Sequence, residues 1–234
     1  MKNFKFLLLI ISLLFVFYVC EGSSQEKTKY SENKSETQNT ELPKRDISNV
    51  ESIEDEHSEE SKSYYSEIVT KNEYNKNYTP KKWYKDMKIF VKGNKVGYLM
   101  NELNKVVSEL NGLISGINIE IVDSESESNF IVYFGGQKGY NQICPTSIGY
   151  TEHNYGLFVI NSSGGEITDG SMYVDIDRTS RSNGEKHLLR EELTQSLGLT
   201  NDSYKYPESI FYGEWTETTK YTELDKEVIK MLYN

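Results

Sequence analysis

The 234-residue chain predicts an α/β (α+β) domain built on one mixed sheet, and three observations carry that expectation. Apolar strand-like runs flank a strongly periodic helix between residues 88 and 134. Two further strands face each other across a turn at Gly164-Gly165. The last third holds two helical patterns. Strands and a helix, then strands, then helices is the order expected where helices pack on a single sheet.

Each element has its own warrant. Lys88-Ile89-Phe90-Val91 is a short β-type run. Residues 96–114 place Val96, Met100, Leu103, Val107, Leu110 and Leu113 at three- and four-residue steps, the stripe of an amphipathic helix. Residues 117–122 and 129–134 read as strands, and a loop holding Cys144 and Pro145 follows. Residues 155–161 and 171–176 form the hairpin pair. A helix starts near Gly184, and Thr222 with Asp225 makes a capping-box start for the closing helix.

This domain is expected to span residues 81–234, with two segments of different character before it. Residues 1–22 read as an export signal: Lys2 and Lys5 precede an apolar run from Phe6 to Val19 broken only by Ser12. The run is shorter than the ~20 apolar residues of a bilayer span. Small residues at Gly22, Ser23 and Ser24 suit signal cleavage. Cys20 offers a second reading as a lipidation site, with Val19 standing where a lipoprotein junction usually carries Gly, Ala or Ser. The protein is therefore expected to be secreted or held at the cell surface, touching membrane only through this segment. Residues 23–80 hold only Leu42, Ile47, Val50, Ile53, Ile68 and Val69 among Leu, Ile, Val and Phe, and predict a disordered acidic tether. As a flexible coil it would reach about 40 Å.

Charge narrows the partners. The chain carries 36 acidic and 26 basic side chains, net -10, and roughly half of that deficit lies in the tether. An acidic surface argues against nucleic acid, whose phosphates need neutralising. A mean hydropathy of -0.63 excludes a multi-span membrane protein, and two cysteines cannot build a disulfide framework.

The informative stretch runs from His187 to Asp202. Leu189, Leu193 and Leu197 form one apolar stripe, Glu191, Glu192 and Gln195 sit roughly opposite, and Gly198 suits a helix C-terminus. On composition alone this is a helix with leucines inside and acids in water. The spacing Glu191-Glu192-x-x-Gln195-x-x-Gly198-x-x-Asn201 is, however, similar to the metzincin zinc-protease helix, His-Glu-x-x-His-x-x-Gly-x-x-His/Asp. Ser209-Ile210-Phe211-Tyr212 resembles the turn beneath the metal, with Phe211 in the methionine slot. Residues 222–233 resemble the closing helix. The same combination also resembles an uncharacterised family of exported bacterial zincin-like proteins.

The resemblance implies a zincin-like mixed sheet with an active-site-type helix and a C-terminal helix. It places Glu192 in the general-base slot, and Glu191, Gln195 and Asn201 in the three ligand slots. Gly198, Ser209, Phe211 and Tyr212 are implied as turn and cleft floor. One carboxylate and two amides replace the imidazoles that zinc prefers, so no cofactor is expected. The alternative is a divalent metal at an atypical site, for example one using His187 and Glu191 on one helix face. His153 is expected in a loop or at a strand edge and His57 in the tether, and Cys144 reads as a buried or semi-buried free thiol. Without metal, Gln195 is expected to bridge Glu191 or Glu192 to Asn201. The function expected is a degenerate metzincin-like domain without catalytic zinc, acting as a binding or structural module, with a peptide or protein as the ligand. The alternative is an active peptidase using Glu192 with an atypical metal or a second carboxylate.

Overall fold

A computed structural model describes residues 57–70, 79–179 and 182–234. The export signal, Cys20 and most of the tether lie outside these residues. The elements in chain order are α1 (Glu59–Tyr65), β1 (Lys82–Trp83), β2 (Met87–Gly93), α2 (Gly97–Asn111), β3 (Ile119–Ile121), β4 (Phe130–Phe134), α3 (Gln137–Ile143), β5 (Gly156–Ser163), β6 (Glu166–Val174), α4 (Ser182–Gln195) and α5 (Glu223–Tyr233). The chain is a mixed α/β domain, as expected, with the motif helix and the closing helix in the predicted places.

The sheet is parallel except at one edge. β2 pairs in parallel with β3 and β4, and β4 and β1 pair in parallel with β6. β5 returns antiparallel along β6, closing the hairpin with a register shift after Asn161. Alternation decides which side of each strand is buried. Met87, Ile89 and Val91 of β2 and Phe130, Val132 and Phe134 of β4 point into the main core. That core is closed by Leu99, Leu103, Val106 and Leu110 of α2 and by the Leu189, Leu193 and Leu197 stripe of α4. Each fully buried Leu is worth roughly 1.5–3 kcal/mol over its exposed state. Behind the sheet a smaller cluster forms under α3, where the Tyr140 and Tyr173 rings stack at 4.6 Å beside Cys144 and Leu157.

Two findings correct the expectations. The folded domain reaches back to residue 58. Ser58 caps α1 by accepting from the Ser61 backbone, and Tyr64, Ile68 and Val69 are fully buried in the main core. The apolar residues of this segment are few but clustered, so an average over the acidic stretch hides them. The acids of α4 are also not in water. α4 runs between α2 and the β5–β6 hairpin, and Glu185, Glu191 and Glu192 are all buried. On the α2 side, buried Arg190 pairs with Glu102 at 2.7 Å and with Glu109, and its guanidinium lies over the Tyr221 ring. A buried charge needs such partners.

Candidate functional site

The α4 backbone sets the site. After Gln195 the chain reverses at Gly198, whose φ of +112° is rarely adopted by other residues. The Lys81 carbonyl approaches so closely that a Cβ there would overlap it. The reversal brings Asn201 and Asp202 back beside the helix. Asn201 turns away from α4: its amide donates to the Glu67 carbonyl at 3.0 Å, and its backbone N–H donates to the Ile68 carbonyl. Gln195 instead donates to the Asp202 carboxylate at 2.6 Å. The expected bridge from Gln195 to Asn201 is therefore replaced by two separate bonds. The helical turn Ser66–Thr70 that follows α1 supplies the carbonyls that Asn201 needs.

A cleft of about 360 Å³ opens between α4, the start of β5 and the 212–215 loop. Glu191, Glu192 and Asp202 lie on its floor, with His187 beside them. His187 Nε2 sits 3.3 Å from Glu191, one helical turn on, and Nδ1 sits 2.9 Å from the Thr218 carbonyl. Burial disfavours the imidazolium, but the Glu191 carboxylate outweighs it, so the His187 pKa is raised.

Glu192 has the most perturbed carboxyl of the site. It is 1% exposed, and its Oε2 has no hydrogen-bond partner among the described residues. Burial first, then the charges of Glu191 and Asp202, hold it well above the usual carboxylate range, and the Phe158 backbone N–H offsets this only in part. Gly156 opens β5 directly against this side chain, and a Cβ there would stand 2.6 Å from Glu192 Oε1. The absence of a side chain at position 156 thus makes room for the carboxyl.

The turn after the motif is a separate, closed network. Ser209 donates to Asp225 at 2.6 Å and accepts from the Phe211 N–H, while its hydroxyl lies 2.8 Å from that of Tyr64. Asp225 also closes the capping box with Thr222 at the start of α5. Phe211 is fully buried, facing the Tyr64 ring at 6.4 Å.

Of the residues singled out by sequence, Glu191, Glu192 and Tyr212 line the cleft. Gln195, Gly198, Asn201, Ser209 and Phe211 lie behind it and shape the chain around it. Sequence reasoning missed Asp202, Gly156 and the two exposed rings at the rim, Tyr155 and Trp215, which meet edge to face at 6.1 Å. Only Asp202 had a usable signal, as an acid next to a ligand slot. His153 is an exposed loop residue at the rim, as expected. Cys144 is a buried free thiol, 3.3 Å from the Thr146 hydroxyl.

The three slots suit a zinc ion poorly, because zinc prefers imidazole or thiolate and two of the slots offer only amide oxygens. The Gln195 and Asn201 amide nitrogens donate to other protein oxygens and Glu191 faces His187, while the buried Gln195 Oε1 has no hydrogen-bond partner among the described residues. Among the described residues, no three His, Cys, Asp or Glu side chains converge as a metal site requires.

The chain belongs to the family described as "Protein of unknown function (DUF2927)", whose model matches residues 58–234. That match starts where α1 starts. Curated proteins give no match. Among solved structures the chain is similar to two of myroilysin. One is 14% identical with a TM-score of 0.39, over 65% of this chain and 82% of that one. The other is 12% identical with a TM-score of 0.42, over 72% of this chain and 95% of that one.

Proposed function

We propose that this protein is a ligand-binding module on a zincin-like scaffold, exported or surface-tethered through residues 1–22, with the α4–β5 cleft receiving a peptide or protein segment. One observation carries the reading: the three ligand slots hold two amides, whose nitrogens donate to Asp202 and to the Glu67 carbonyl, and a carboxylate that faces His187. The motif residues then hold the reversal at Gly198 and the cleft wall in shape, and the opening remains available for a ligand. Its volume falls in the range of small-molecule and side-chain sites.

A second reading, a hydrolase using Glu192, is favoured by that residue's buried, strongly raised carboxyl beside another acid, a pattern shared by general acids. One experiment separates the two. The full chain is presented to a random-sequence peptide array, and bound peptides are recovered and weighed by mass spectrometry. A binding module retains peptides intact and loses them when Trp215 is replaced by alanine. Peptide cleavage that disappears in Glu192→Gln would overturn the binding reading, as would an array on which nothing is retained.

A further inference from the structure

We propose that the α4–β5 cleft takes an organic cation: the ammonium or guanidinium end of a lysine- or arginine-type side chain, held between aromatic rings and a carboxyl floor. This rests on the reading of the cleft as a ligand site and names the ligand class. Five carboxyl groups line the cleft, Glu191, Glu192 and Asp202 at the floor with Glu152 and Glu214, and among the described residues no lysine or arginine lines it. Arg178 lies 4.8 Å from the Tyr155 ring and is paired with Asp175 at 2.6 Å. His187 balances Glu191.

Glu192 is the second, independent observation. Its carboxyl is almost wholly buried, lines the cleft, and has an oxygen without a hydrogen-bond partner among the described residues. An unpaired buried carboxyl is costly unless a donor arrives. A cationic group entering the cleft supplies both donor and charge. The wall is suited to the same guest. Trp215 is 47% exposed and Tyr155 42% exposed, their rings nearly perpendicular at 80°. Exposed aromatic faces beside carboxylates are the known setting for ammonium and guanidinium groups. A neutral apolar guest would gain from the rings but leave Glu192 unsatisfied, and an anionic one would meet five carboxyl groups against two histidines, His153 and His187.

The test is calorimetric titration of the full chain with four capped amino acids: Nα-acetyl methylamides of lysine, arginine, norleucine and glutamate. The lysine or arginine derivative should bind at least about tenfold more tightly than norleucine, and glutamate should not bind. Glu192→Gln should bring the cationic derivative down to the norleucine level, and Trp215→Ala, a change at an exposed ring, should weaken it without unfolding the chain. Equal binding of norleucine and lysine would overturn cation recognition while leaving the cleft a ligand site. No binding of either cationic derivative would overturn it as well, and retention of peptides on the array then decides the ligand-site reading separately.

Discussion

Replacing Ile68 by alanine removes its γ and δ carbons from a position with zero exposure, in a segment that composition assigns to a tether. At ~0.8 kcal/mol per buried carbon, transfer alone costs about 2–2.5 kcal/mol. The cavity left beside Tyr64, Val69 and the α5 side of the core adds to this, for a total of about 2–5 kcal/mol. The Ile68 and Glu67 carbonyls also hold Asn201, so a loosened segment would free the chain just beyond Gly198. For a domain of this size, the melting temperature should fall by about 5–15 °C. Urea and thermal unfolding of the full chain measure both quantities. An Ile68→Ala protein that unfolds with wild-type midpoints would refute the placement of residues 58–70 in the core, and with it the stated anchoring of Asn201.

Two further outcomes follow from Glu192. Gly156→Ala puts a methyl group into its carboxyl and should destabilise the domain by about 1–3 kcal/mol in urea unfolding. The double change with Glu192→Ala should recover part of that loss, and strict additivity of the two would contradict the contact. Glu192, His187 and Asp225 all hold protons more tightly in the folded chain than at their ordinary values of 4.5, 6.5 and 3.8. The native state therefore binds more protons than the unfolded one, so stability falls as pH rises. For His187 the contribution is full below pH 6.5 and lost as pH passes its raised value. For the two acids the fall begins near their ordinary values. Unfolding free energy should be larger near pH 5.5 than near pH 8.5, and Glu192→Gln should shrink the difference. A larger value at the alkaline end would contradict the burial assigned to these groups.

What could be read from sequence divides along physical lines. α2, α4 and α5 were legible because burial on one stripe imposes a 3.6-residue period, and β2 and β4 because the sheet buries alternate residues. β1 has two residues and no period to find. α1 escaped because Tyr64, Ile68 and Val69 stand among charged neighbours, and only tertiary packing selects them. The motif spacing located α4, the Gly198 reversal and the Ser209–Asp225 turn. It did not give side-chain directions, since the partners of Asn201 come from the turn after α1 and that of Gln195 is Asp202. The rim of Tyr155 and Trp215 joins loops sixty residues apart in sequence, a proximity that no local pattern encodes.

Whether the altered ligand slots have left metal behind is decided most directly by elemental analysis of the full chain after equilibration with zinc, paired with melting curves with and without chelator. With two amides and a histidine-paired carboxylate in the ligand slots, zinc should stay well below stoichiometric. The melting temperature should then be the same in both curves. Stoichiometric zinc, with a melting temperature that drops when the chelator is added, would contradict this, because a metal bound only by the folded state must stabilise it.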